Sequence, residues 1–390
     1  QGKTLFIDGL DEMRADGGDG RTPLDHIRKH LERLSRPRFR LSCREADWWG
    51  ASDSEALRYV SPDGEIIALH LDPLSDADIA QILKHNSNAI NPVSFMHQAR
   101  EHGLDELLRN PQTLNLMVEA VGTNPWPQSR TEIYAMACNK LVAEKNIEHR
   151  QAKREKALPT ASLLEAAGYL CAIQLLSIIA GYALDEQSTD KQHSCWKELN
   201  EQRLPLLTAL KTNLFQSDGE ELRICIHRSV AEFLGARYLA ERIEHHGLPF
   251  GRVLALMTGE DGGVVADLRG LAAWLSVHCH SGRHTLIERD PVGVVLYGDV
   301  RNFPKQDKLH VIEAWKREAR RYPWFASERW SSSSSNAAIG ALCIKEMEAT
   351  LLEILTSLSR EEAEQAMLDA VLDAMCHGER MPSLLERSEE

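Results

Sequence analysis

This chain contains no Cys-x-x-Cys pair and no apolar run of membrane length, and its acidic residues outnumber its basic ones. Each shortage removes a class of function. The eight cysteines are scattered from Cys43 to Cys376. With no signal-peptide pattern ahead of them, they read as reduced thiols of a cytoplasmic protein rather than a disulfide framework. The most apolar stretch, Cys171 to Leu184, is interrupted by Gln174 and Ser177 and preceded by Glu165. A membrane span needs about 20 apolar residues, so the stretch reads as a buried helix over 161–184, and no membrane partner is expected. Lys plus Arg number 45 against 58 Asp plus Glu, a formal charge of −13. That balance argues against nucleic acid as a partner, which requires a basic face, although Arg36, Arg38, Arg40 and Arg44 cluster locally.

What is present is ordinary in bulk. An apolar content of 43% and a charged content of 26% fit a soluble globular protein. The 390 residues leave room for roughly two to four domains. The start at Gln1, without an initiator Met and with almost no lead-in to a strand, reads as a fragment of a longer protein. Gly2-Lys3-Thr4 invites comparison with a phosphate-binding loop. Such a loop follows a strand and opens a helix, whereas this tripeptide runs directly into a strand.

The informative stretch is Leu5-Phe6-Ile7-Asp8-Gly9-Leu10-Asp11-Glu12. A short apolar run predicts a buried parallel strand, and ligands of open α/β sheets bind at the carboxyl ends of such strands. Asp8 then stands where a hydrated Mg²⁺ would be held, since that ion takes one or two carboxylates plus phosphate oxygens. Asp11 or Glu12 follows within reach to orient an attacking water. The same residues also describe an Asp-Gly turn leading into a helix with acidic residues in its first turn.

Thr22 and Pro23 open a predicted helix carrying Leu24, Ile27, Leu31 and Leu34, and Pro37 stops it. Phe39 to Cys43 reads as a second strand ending in Arg44, giving a parallel βαβ unit. A guanidinium there can bond a terminal phosphate bidentately; a surface pair with Asp47 is the plainer alternative.

Downstream, Ser75 is an N-cap with Asp76 and Asp78 in the first turn. Pro111 opens a helix whose Leu114, Met117 and Val121 form a stripe. A helix from Thr131 to about Glu144 buries Ile133, Tyr134, Cys138, Leu141 and Val142. Leu214-Phe215 and Leu222 to Ile226 flank Asp218-Gly219 as a hairpin. His227 follows it, and Ser229 caps a helix with Val230, Phe233, Leu234 and Tyr238. Beyond 246 the pattern is helical without a strict period, with paired helices at 338–357 and 361–376. His278, Cys279, His280 and His284 match no zinc spacing, and Gly282 interrupts the helix that His280 and His284 would share.

Leu5 to Glu12 resembles the Walker B motif of NACHT-type STAND ATPases, and Leu41 to Trp48 resembles their sensor 1 segment. His70 to Ile79, Leu107 to Leu114 and His227 to Ala236 resemble, in order, the exit from the nucleotide-binding domain, the helical-domain proline motif and the winged-helix histidine segment. The resemblance implies a mainly α fold with a partial α/β portion: a truncated P-loop sheet over 1–69, a helical domain over 70–125, a winged helix over 126–245 and a HEAT-like α-solenoid over 246–390. It implies Mg²⁺ and ATP/ADP as cofactors, with Asp8 on the metal, Asp11 and Glu12 catalytic, Arg44 on the γ-phosphate, Pro111 near the adenine and His227 on the diphosphate. It further implies homo-oligomerisation on activation, a protein trigger sensed by the C-terminal helices, and a role in antiviral defence or signalling. The phosphate-binding loop and effector of that family are not in this sequence, so little hydrolysis is expected from the chain alone. The competing expectation is a helical scaffold for protein partners with a non-functional nucleotide site.

Overall fold

The computed structural model describes residues 4–8, 10, 22–42, 50–69, 72–86, 90–101, 104, 108–109, 111–121, 126–127, 129–142, 158–199, 201, 203–217, 221–321, 338–356, 362–379 and 381. They are mainly helical. In chain order come β1 (Thr4–Ile7), α1 (Thr22–Arg33), β2 (Arg38–Leu41), α2 (Gly50–Arg58), α3 (Asp76–Asn86), α4 (Pro92–Glu101), α5 (Pro111–Val121), α6 (Arg130–Val142) and α7 (Thr160–Leu176). Then follow β3 (Gly181–Ala183), β4 (His193–Cys195), α8 (Leu206–Leu210), β5 (Phe215–Ser217), β6 (Leu222–Cys225) and α9 (Arg228–His246). The remainder is helical: α10 (Phe250–Met257), α11 (Arg269–His278), α12 (Arg283–Arg289), α13 (Pro291–Tyr297), α14 (Lys305–Arg321), α15 (Glu348–Thr356) and α16 (Glu362–His377). Among the described residues no helix is long and apolar enough to cross a membrane.

The chain folds into two compact units. One comprises Gln1–Asp72, Asn139–Ala167 and Ile178–Ile226; the other comprises Pro73–Cys138, Gly168–Ser177 and His227–Glu390.

In the first unit β1 and β2 pair in parallel with Ile7 opposite Leu41, the predicted βαβ arrangement. Phe39 and Leu41 point with Ile7 into a core of Leu24, Ile27, Leu31 and Leu57 from α1 and α2. The period-two alternation of a strand sends Arg38 and Arg40 the other way. The expectation of a buried strand is corrected here, because Phe6 is 71% and Leu5 37% exposed. The described sheet has only these two strands, and its helices cover one face. A second sheet has the order β4-β3-β6-β5. Its β5–β6 pair is antiparallel, with Phe215 opposite Cys225, so the predicted hairpin forms. Gly181 lies so close to β6 that a Cβ would collide with the Arg223 carbonyl.

The apolar helix predicted to reach residue 184 stops at Leu176. Ile178 adopts a positive φ of 55°, the left-handed turn that ends many helices, and Gly181 to Ala183 turn to strand. An apolar run does not announce its period, and the same residues satisfy a helix or a buried strand.

In the second unit α9 packs along α11 and α11 along α13, while α12 packs on α14 and α14 on α16. This alternate packing of successive helices builds a continuous apolar core from Ile287 to Met381. The helix predicted at 338–357 is broken: a 3-10 turn at Lys345–Met347 precedes α15.

Candidate functional site

The parallel register that aligns Ile7 with Leu41 carries Asp8 and Ser42 out of the sheet at the same end. Ser42 N donates to Ile7 O at 2.9 Å, Leu10 N donates to Ser42 O at 3.3 Å, and the Ser42 hydroxyl donates to Asp8 Oδ1. Both side chains are exposed. One exposed carboxylate with one oxygen engaged suits a hydrated Mg²⁺, which keeps its waters, better than an ion enclosed by protein. Among the described residues no three His, Cys, Asp or Glu side chains gather as metal ligands. Asp11, Glu12 and Arg44 lie outside the described residues. The described part of the second strand ends at Leu41. Ser42 was overlooked in the sequence, although a polar residue one step past an apolar strand was the available signal.

Pro111 is the first residue of α5 and is exposed. The two stretches that resemble the domain exit and the proline motif meet just before it. Leu74 N donates to Arg109 O at 2.7 Å, and Arg109 Nη1 donates to Leu74 O at 3.4 Å. Arg100 pairs with Asp76, and Arg109 approaches it at 3.9 Å. The cap predicted at Ser75 is reciprocal. Ser75 Oγ accepts from Asp78 N at 3.3 Å, and Asp78 Oδ2 accepts from Ser75 N at 3.0 Å. The Ser75 hydroxyl, which donates to Asp78 Oδ2 at 2.6 Å, and the Ser75 amide lower the pKa of the Asp78 carboxyl.

His227 caps α9. Its Nδ1 accepts from Ser229 N at 3.1 Å, with the Ser229 hydroxyl 2.7 Å away. The predicted cap is thus displaced by two residues from Ser229 to His227. Beneath it lies an aromatic nest that the sequence did not reveal. Tyr134, Phe233 and Trp274 sit with ring centroids 5.0 to 5.5 Å apart, and His278 lies 5.2 Å from Phe233. Burial pushes the Tyr134 hydroxyl pKa up and the His278 imidazole pKa down to about 4. Burial also raises the pKa of Glu232, against the Arg228 guanidinium 3.0 Å away.

At the start of α6, Asp299 accepts from Ser129 Oγ (2.8 Å), Thr131 N (2.8 Å), Thr131 Oγ1 (2.7 Å) and Asn302 Nδ2 (3.1 Å). It is only 4% exposed. Gly282 does break the helix between His280 and His284, as α11 ends at His278 and α12 begins at Arg283. His284 Nε2 lies 2.9 Å from Asp307.

Asp8 and Ser42 belong to the first unit, Pro111 and His227 to the second. The chain matches no protein-family model and no curated protein.

Proposed function

We propose that this chain is the switch portion of a NACHT-type STAND ATPase, which binds ADP or Mg-ATP and couples recognition of a trigger to homo-oligomerisation. The observation that carries the reading is the bond from Ser42 to Asp8 across neighbouring parallel strand ends. The bond places a carboxylate at the carboxyl ends of neighbouring parallel strands, where open α/β sheets bind their ligands. Asp8 would hold Mg²⁺, Asp11 or Glu12 would orient water, and Arg44 would meet the γ-phosphate. Pro111 would lie toward the adenine, with His227 bonding the diphosphate.

In this reading the β1–β2 pair is part of a P-loop sheet, 70–125 the helical domain, 126–245 the winged helix around the β5–β6 hairpin, and the helices after 246 a HEAT-like array that senses a protein trigger. Cytoplasmic antiviral defence or signalling is the setting that the resemblance implies. The chemistry that Mg²⁺ supplies when bound is neutralisation of phosphate charge. The residues of this chain orient it and read the nucleotide state.

One observation favours a helical scaffold instead: strand β1 exposes Phe6, whereas the second unit encloses a well-packed core. Titrations of the chain with ADP and with Mg-ATP separate the two. Replacing His227 by Ala is expected to weaken binding of ADP, and replacing Arg44 by Ala that of Mg-ATP, about 10-fold or more, the cost of a charge-assisted hydrogen bond. Asp8→Ala is expected to remove only the Mg²⁺-dependent part. Affinity indifferent to all three substitutions rejects the switch in favour of the scaffold.

A further inference from the structure

The start of α6 and the turn between α13 and α14 supply each other's missing hydrogen-bond partners. A helix leaves amide donors unmet where it begins and carbonyl acceptors unmet where it ends. At the end of α13 the carbonyls of Leu296 and Gly298 accept from Arg130 Nη1 at 3.2 Å and 3.0 Å. At the start of α6 the Ser129 hydroxyl, the Thr131 amide and the Thr131 hydroxyl all donate to Asp299 Oδ2, at 2.8, 2.8 and 2.7 Å. Three consecutive residues thus meet a turn that lies 166 to 170 residues further along the chain.

Little water reaches this contact. Ser129 is 5% and Asp299 4% exposed. Asn302 Nδ2 donates to Ser129 Oγ at 2.6 Å and to Asp299 Oδ2 at 3.1 Å. Lys308, itself buried on α14, braces the turn by donating from Nζ to Arg301 O at 2.8 Å. Leaving a buried polar group without its partner is costly, and more so for a charge. Withdrawal of Asp299 would orphan the donors of Ser129 and Thr131. Withdrawal of α6 would leave the Asp299 carboxylate with Asn302 alone and the end of α13 without Arg130. Neither side can open cheaply by itself.

We infer that these two helix ends form one latch, through which the α13–α14 turn of the helical array holds or releases the start of α6. The two ends open together or not at all. Local unfolding proceeds in cooperative units of this kind, and an element with two discrete arrangements is the physical means of coupling distant sites. Displacement of the turn by a bound protein would free residues 129–131, at the entry to the 126–245 region. That such a protein binds the array rests on the switch reading above; the latch itself does not.

The test uses the full chain without nucleotide. Amide hydrogen exchange is followed by mass spectrometry on peptides covering 130–138 and 292–302, with α16 as the reference. In the wild type the two peptides are expected to share one opening free energy and one urea dependence. Asp299→Asn keeps the side chain's shape but not its charge, and Arg130→Met removes the donor to α13 while keeping its aliphatic length. Each is expected to speed exchange about 10-fold or more in both peptides, the worth of hydrogen bonds to a charged group, with α16 unchanged. Acceleration confined to 130–138 in Asp299→Asn and to 292–302 in Arg130→Met would reveal two separate contacts and overturn the latch. Acceleration shared by α16 would mean global destabilisation only and would overturn it too. So would unequal opening energies in the wild type, a measurement that stands even if a substitution prevents folding. A common opening in a chain that binds no ADP removes the switch reading and leaves the latch; ADP binding with separate openings does the reverse.

Discussion

The surroundings of Asp8 and of His227 are built on opposite plans. Asp8 sits at an exposed strand end, held by one hydroxyl that is itself exposed. His227 is half-buried, and its Nδ1 caps the helix that carries Phe233 into an aromatic nest. An exposed carboxylate keeps its hydration, because desolvation penalises its charged form. A side chain that caps a helix is held in place by the backbone amide it bonds. Solvation thus governs the strand-end carboxylate, and local hydrogen bonding and packing govern the imidazole.

The contrast can be broken in order of effect. Trp274→Ala removes a fully buried indole that contacts Tyr134 and Phe233 and is expected to cost about 3–5 kcal/mol in urea denaturation. Phe6→Ala on the exposed sheet face is expected to stay within about 0.5 kcal/mol. Equal losses would dissolve the distinction.

Asp299→Ala leaves buried donors of Ser129, Thr131 and Asn302 unmet, and a loss of about 3 kcal/mol is expected in the same assay. A change under about 1 kcal/mol would mean that water replaces the carboxylate.

The pH dependence sharpens the comparison further. His278 has a folded pKa depressed to about 4 by burial. The unfolded chain therefore binds the extra proton between pH 6.5 and 4. Stability is full above the unfolded value and falls as the pH drops through that window, by at most about 3 kcal/mol. Its Nε2 has no hydrogen-bond partner among the described residues. His278→Phe is accordingly expected to flatten the slope without destabilising the protein at pH 7. An unchanged slope would assign the pH dependence to other groups. A small effect belongs to Ser42→Ala, which is expected to cost under about 1 kcal/mol of stability. It should still weaken the Mg²⁺-dependent part of nucleotide binding, read by calorimetry.

The βαβ start, the cap at Ser75, the helix at Pro111 and the β5–β6 hairpin were all legible because each is announced by neighbours in sequence: Pro23 and Pro37, Ser75 with Asp78, Pro111, and Asp218-Gly219 between alternating residues. The break at Ile178 was not, since nothing local separates a long apolar helix from a shorter one followed by a strand. Of the candidate site, the sequence marked Asp8, Pro111 and His227 but not Ser42, Arg109 or Tyr134. Ser42 meets Asp8 from 34 residues away, and Arg109 meets Leu74 from 35.

By itself, then, the sequence determined the local elements, the acidic cluster after the first strand and the placement of His227 at a strand-helix junction. These depend on backbone propensity, caps and side-chain chemistry within a few residues. Only the tertiary structure decided that β1 leaves Phe6 exposed, that Ser42 holds Asp8, and that Tyr134, Phe233 and Trp274 meet in one nest. Those outcomes depend on which distant groups meet and how much water is excluded between them, and burial sets the strength of a hydrogen bond or a charge.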